Sequence, residues 1–269
     1  MLKRTEGIVL KTLPFGEADL IVTYLTPDLG LLKLFAKSPR KIRSRFGSSL
    51  EPLTHAKISF WGKEDANLPK LTQSDIIHPF HKIRDTLPCF LKVSELVEVT
   101  LHFVPERDVN KKVYSLILQT LHEFEKSLPL APARKDTSPS SVKKGWKEGS
   151  FHDDLLITHY KVKFLKYLGY SPKLDACGRC GNNGYFFYVS SGSIICESCS
   201  KDVDSPLRIS PSVIRFYTDL LTWEPGKLQR LKPSVKLLSE LTDIINMHIQ
   251  YILSKPLRAS SFTQSLSHQ

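Results

Sequence analysis

Two Cys-x-x-Cys pairs, Cys177-Gly178-Arg179-Cys180 and Cys196-Glu197-Ser198-Cys199, stand in one short stretch of this chain with fifteen residues between them. That spacing is the pattern of a four-thiolate zinc site. Each pair folds as a tight knuckle that aims two sulfurs at one point. Two knuckles close a tetrahedron and leave no position for water. A closed site cannot activate a hydroxide, so the motif points to architecture rather than to metal chemistry. Gly181, directly after the first pair, suits the positive φ that such a turn needs. The other reading of the same residues is four free or disulfide-bonded thiols. A redox Cys-x-x-Cys belongs near a βαβ pattern, and none is evident.

The cysteine segment lies between Pro172 and Pro206. It is too small to bury a core of its own, so we expect metal to supply its folding energy. Within it, Tyr185–Val189 and Ser193–Ile195 predict a hairpin turning at Ser191-Gly192. The fifth cysteine, Cys89, sits in Leu87-Pro88-Cys89-Phe90-Leu91 and reads as a small buried hydrophobe.

The first 80 or so residues read as β. Short apolar runs at Gly7–Thr12, Leu20–Thr26, Leu31–Ala36, His55–Trp61 and Lys70–Asp75 are separated by turn residues such as Gly16, Pro27, Gly30, Gly47 and Gly62. Five short strands with turns between them predict a small sandwich or barrel. Then the period changes. Helical spacing covers Leu87–Val104, Val113–Phe124, Leu155–Tyr170 and Val213–Leu221, and a last helix runs from a Ser234 cap to about Leu253. Ser210-Pro211 reads as an N-cap followed by proline at the first helical position. The fold class expected is therefore α+β: a β-domain over 1–80, then a helical domain over 81–269 carrying the zinc module at 172–206. The stretch 130–150 is rich in Pro, Ser, Lys and Gly and reads as a flexible loop, and the polar tail 260–269 as disordered.

Net charge is +11 over 269 residues. Such an excess favours polyanions: nucleic acid, acidic protein tails or an anionic membrane surface. It is concentrated in Lys33-Leu34-Phe35-Ala36-Lys37-Ser38-Pro39-Arg40-Lys41-Ile42-Arg43-Ser44-Arg45-Phe46, which holds six cations (Lys33, Lys37, Arg40, Lys41, Arg43 and Arg45) and no acid. The strip leaves a predicted strand and passes through Pro39, so most of it reads as an exposed loop. Cations at this density neutralise phosphates and release counterions. Phe35, Phe46 and Trp61 are nearby candidates for base stacking, with Phe35 the one better suited to the core. The competing reading is a solvated loop.

An ordered set of segments resembles the RecO family of bacterial recombination mediators. These are Glu6–Leu10, Phe15–Val22, Thr26–Gly30, the lysine-arginine loop Ala36–Phe46, Tyr167–Asp175 and Cys177–Gly181, together spanning about residues 5 to 200. The resemblance implies an N-terminal OB-fold, a C-terminal helical domain and a zinc module within it. It implies binding of single- and double-stranded DNA, annealing of complementary strands, and cooperation with RecR and single-strand binding protein (SSB) in loading RecA. By position it carries DNA binding onto Lys37, Arg40, Lys41, Arg43 and Arg45, and metal binding onto Cys177, Cys180, Cys196 and Cys199. It also implies contact between the helical domain and the acidic SSB tail, for which Lys111, Lys112, Lys161, Lys163 and Lys166 are candidates. Where the family often has Gly-x-Arg after the strand, this chain has Ser38-Pro39-Arg40.

Catalytic signatures are absent from the sequence. There is no Gly-x-x-x-x-Gly-Lys-Ser/Thr, no Gly-x-Gly-x-x-Gly, no Gly-x-Ser-x-Gly and no deaminase His-x-Glu beside the cysteines. No apolar run is long enough to span a membrane, and the start lacks a signal-peptide core, so a cytoplasmic, nucleoid-associated location is expected. The expected function is a non-enzymatic DNA repair and recombination mediator with one structural zinc per chain and no small-molecule substrate. The alternative is a zinc-ribbon scaffold that binds acidic protein partners without touching DNA.

Overall fold

The computed structural model describes residues 1–39, 45–62, 67–128, 139–200 and 206–257. Two compact units divide between Glu125 and Lys126.

In the first unit, strands β1 (Leu2–Phe15), β2 (Asp19–Thr26), β3 (Gly30–Ala36), β4 (His55–Trp61) and β5 (Lys70–His78) close into a barrel in the order β1-β2-β3-β5-β4. All pairings are antiparallel except β3 with β5. This five-stranded Greek-key closure is the OB-fold. β1 makes the closure possible. Its first half, Leu2 to Ile8, pairs with β4, and its second half, Ile8 to Phe15, pairs with β2. A bulge between Val9 and Lys11 turns the strand from one partner to the other. The interior is filled by Val9, Val22, Tyr24, Leu34, Ile58, Phe60 and Leu71, all almost wholly buried.

Three helices complete this unit: α1 (His81–Asp85), α2 (Leu87–Phe103) and α3 (Lys111–Ser127), the last crossing the division at its final turn. The short α1 has too few residues to show a helical period and is not predicted by the sequence. Arg84 on it donates to the carbonyl of Pro52 (3.0 Å) and the hydroxyl of Thr54 (3.2 Å), and pairs with Glu51 (2.8 Å), which fastens α1 to the barrel. Asn110 caps α3 by accepting from the Val113 N–H at 3.1 Å. Cys89 is buried on α2, as its apolar surroundings predict.

In the second unit α4 (Pro139–Leu168), α5 (Pro211–Thr222) and α6 (Val235–Leu253) pack on one another, and a small four-stranded sheet meets α6. Leu156, Tyr160, Phe164 and Leu165 of α4, Leu220 of α5, and Leu241, Ile245 and Ile249 of α6 are all buried, and the three helices pack on one another. Ser210 and Ser234 cap α5 and α6, each accepting the backbone N–H three residues on. α4 begins far earlier than the predicted Leu155. Residues 139–150, read as loop from their Ser and Gly content, form its opening turns, while 129–138 lie outside the described residues. Pro139 fits the first helical position, where its missing N–H has no partner to lose. The predicted 260–269 tail also lies outside the described residues.

Candidate nucleic-acid interface and metal centre

The basic strip leaves the barrel at the end of β3. Lys37 is exposed, and Arg45, where the description resumes, is exposed with its guanidinium 4.9 Å from the centre of the Phe46 ring. Arg40, Lys41 and Arg43 lie outside the described residues. Lys33 is exposed on β3 and pairs with Glu106, so its charge is partly neutralised within the barrel unit. The entry to the strip is anchored. The Ser38 N–H donates to Asp19 Oδ1 at 2.6 Å, and Ser38 holds φ 57°. A serine therefore occupies the left-handed conformation that a glycine adopts without strain.

The stacking candidates sort differently from the sequence expectation. Phe46 is 3% exposed and belongs to the barrel core, so it offers no face to a base. Phe35, expected inside, is only half-buried on β3 and meets the exposed Phe15 edge to face at 5.8 Å. Trp61 is exposed at the end of β4. Phe15 was not singled out by the sequence, because the predicted strand ends at Thr12 whereas β1 continues to Phe15.

Two lysines proposed for an acidic peptide are not on the surface. Lys161 is 1% exposed, and its ammonium donates to Asn246 Oδ1 at 2.7 Å. Lys163 is also buried, with its ammonium on the Leu221 carbonyl at 2.9 Å. Burial lowers its pKa. Lys166 reaches the same carbonyl from the surface at 3.3 Å, and His159 bonds the Trp223 carbonyl at 2.8 Å. These basic side chains satisfy carbonyls at the C-terminus of α5, where the helix dipole is negative. Lys111 and Lys112 remain exposed.

The cysteines converge as their spacing predicts. The four sulfurs of Cys177, Cys180, Cys196 and Cys199 all lie within 4.8 Å of one another, and Cys180 and Cys196 approach to 3.4 Å. A tetrahedron with metal–sulfur bonds near 2.3 Å has edges of about 3.8 Å, so the arrangement fits a metal ion of that size. Strands β6 (Lys173–Cys177), β7 (Phe186–Tyr188), β8 (Ser193–Ile195) and β9 (Leu207–Arg208) build the frame in the order β6-β8-β7-β9. The predicted hairpin is β7 with β8, pairing Phe187 with Ile194 and turning through Gly192. Gly181 holds φ 78° in the first knuckle, and its N–H donates to the Cys177 carbonyl at 2.9 Å. At Gly178 a β-carbon would lie 2.4 Å from Ser193 Oγ, so no larger residue fits there. Arg179 crosses between the knuckles and donates to the Cys199 carbonyl at 2.7 Å.

The surroundings favour thiolate at Cys177 and Cys196, while the crowding of the other sulfurs pushes Cys180 and Cys199 up. Hydrogen bonds from backbone N–H groups, that of Cys196 first, hold the Cys177 thiol down at about 6. The Ser198 hydroxyl, 3.0 Å from the Cys196 sulfur, leads the lowering there. Thiolate is the form that binds metal. His248 of α6 fixes the module against the helices. Its Nε2 bonds the Tyr170 carbonyl at 2.8 Å and its ring meets Phe187 at 6.1 Å. Among the described residues no other cluster of potential metal ligands occurs, and no helix is long and apolar enough to cross a membrane.

Comparison with known proteins agrees with both halves. The family model described as "Recombination protein O N terminal" matches residues 1–80, and that described as "Recombination protein O C terminal" matches residues 147–261. A DNA repair protein RecO of Thermodesulfovibrio yellowstonii is 43% identical, over 93% of this chain and 92% of its own length. Another, of Syntrophus aciditrophicus, is 30% identical over 95% of this chain and 93% of its own, and one of Dehalococcoides mccartyi is 28% identical over 98% and 96%. On a matched barrel, a matched helical unit and full-length relatives at this identity, the chain belongs to the RecO family.

Proposed function

We propose that the chain is a non-enzymatic mediator of DNA repair and recombination that binds DNA through the barrel over residues 1–80. The observation that carries this reading is the position of the cationic strip: it follows β3 of a closed OB barrel, and Lys37 and Arg45, its described cations beyond the strand, are exposed. Lys37, Arg40, Lys41, Arg43 and Arg45 supply the phosphate contacts, with Lys33 behind them. Double- and single-stranded DNA both present that charge. Cations on the protein screen repulsion between two phosphate backbones, complementary bases meet, and base pairing drives annealing without ATP. The relatives' printed name, DNA repair protein RecO, supports the repair role, and the family resemblance implies that this activity is exercised with RecR and RecA on strands coated by single-strand binding protein. The four-thiolate centre holds one structural zinc, and the closed ligand set leaves it no catalytic position. The acidic SSB tail contacts the helical part of the chain, and the burial of Lys161 and Lys163 takes those two out of that role.

The test is strand annealing on SSB-coated oligonucleotides without ATP, with and without the protein. Acceleration is expected, and Arg40→Ala with Lys41→Ala should weaken DNA binding and flatten its dependence on salt. No DNA binding at moderate salt by a folded, zinc-loaded protein would transfer the reading to a scaffold for acidic protein partners.

A further inference from the structure

The barrel's register places a continuous outward row of side chains near Lys37, where the basic strip leaves β3. Leu13 of β1 pairs with Ile21 of β2, Ile21 with Phe35 of β3, Phe35 with Lys70 of β5, and Lys70 with Trp61 of β4. Their neighbours along the strands, Val22, Leu34, Ala36, Phe60 and Leu71, point into the core. The row therefore faces out. Phe15 stands 51% exposed against Phe35, and Trp61 is 57% exposed. Phe35 and Trp61 are two strand spacings apart, about 9.6 Å, with a lysine between them. Lys37, two residues beyond Phe35, begins the cationic loop.

Scattered exposed apolar residues need no explanation, but large aromatics aligned in one row and interleaved with lysine do. Aromatic faces take any base, and the lysines match the backbone charge. In a duplex the bases are already stacked and cannot reach such faces. We propose that this row is a base-stacking track for single-stranded nucleic acid, and that it gives the chain its discrimination between single strand and duplex. The inference rests on the DNA-binding reading: the loop holds phosphates of either form, and the row holds only unpaired bases.

The experiment measures affinity for an oligothymidine and for a duplex of equal length across a salt series. It compares the full-length zinc-loaded wild type with Phe15→Ala/Trp61→Ala and Lys37→Ala/Arg45→Ala. The aromatic variant should lose roughly tenfold or more for single strand, keep its duplex affinity within about twofold, and keep its salt slope. The loop variant should lose affinity for both forms and flatten the slope. Loss by the loop variant alone would overturn the stacking track and leave the DNA-binding reading standing. No binding by the wild type would overturn both. Tryptophan fluorescence guards against a folding defect in the variants. Oligothymidine should quench the wild type and duplex should not, and most of that quench should vanish in Trp61→Phe. Equal quenching by the two DNA forms, or a quench unchanged in Trp61→Phe, would sink the proposal.

Discussion

Arg179 donates through Nη1 to the backbone carbonyl of Cys199 at 2.7 Å, so the middle of the first cysteine knuckle holds the end of the second. The contact ties together the two sulfur pairs that a metal ion would bridge. Groups behind the ligands commonly change metal affinity tenfold or more. Arg179→Ala should keep one zinc per chain but surrender it to a chelator roughly tenfold faster. Cys177→Ser should lose the metal outright and open residues 172–206 to hydrogen exchange, leaving the amides of the barrel protected. Metal content of one per chain after the cysteine change would disprove the four-ligand assignment.

Ser38 carries the left-handed conformation at the mouth of the basic loop, held by Asp19. A non-glycine residue there costs about 1 kcal/mol, partly offset by glycine's greater freedom in the unfolded chain. Ser38→Gly should therefore be neutral or stabilising by up to about 1 kcal/mol in denaturant unfolding of the barrel unit. Asp19→Ala should lower DNA affinity without touching a phosphate-binding side chain, through loss of the loop's anchor.

His159 is fully buried on α4 with its Nε2 on the Trp223 carbonyl, and burial lowers its pKa from 6.5 to about 4. The folded state thus prefers the neutral ring. Between about pH 6.5 and pH 4 the unfolded chain binds the extra proton and the folded chain does not, so stability is complete above 6.5 and falls as the pH drops through that window. The full span corresponds to about 3 kcal/mol. His55 and His248, also lowered by burial, act in the same direction. Denaturant midpoints from pH 7.5 to 4.5 should fall, and His159→Gln should shallow the fall while lowering the plateau.

Lys163 and Lys161 act inside the helical unit, not on its surface. Removing the Lys163 ammonium leaves the Leu221 carbonyl to Lys166 alone. Lys163→Met keeps the stem that packs and deletes the charge, and should cost about 1–3 kcal/mol with binding to an acidic peptide unchanged. A loss of peptide binding at constant stability would restore Lys163 to the surface role the sequence suggested.

The four-cysteine cluster was legible because one residue type at four fixed positions determines it, whatever the surrounding fold. The strands were legible because each apolar run ends at a turn residue, and the caps at Ser210 and Ser234 were readable from local chemistry. Part of what the sequence hid depended on partners far along the chain. β1 runs three residues past the predicted end at Thr12, so Phe15 went unnoticed; Phe35 turns outward by plain alternation between the buried Leu34 and Ala36, and Phe46, outside any strand, reaches the core through a chain path that periodicity does not show. The lysines of α4 look like a solvated stripe until α5 supplies carbonyls to receive them. The opening turns of α4 look like a loop because Ser and Gly outweigh Lys and Glu in a purely compositional reading.

The barrel's first strand has a consequence for how the chain is made. Leu2 to Ile8 have their ladder partners on β4, some fifty residues downstream. A ribosome adding about 5–20 residues per second needs roughly 3–10 s to deliver them. For that interval the newborn strand carries an open row of N–H and C=O groups, a template for any other extended chain nearby. Lys3, Arg4 and Glu6 fall within that row, and charge on an unpaired edge is what discourages it from joining the wrong neighbour before its own arrives.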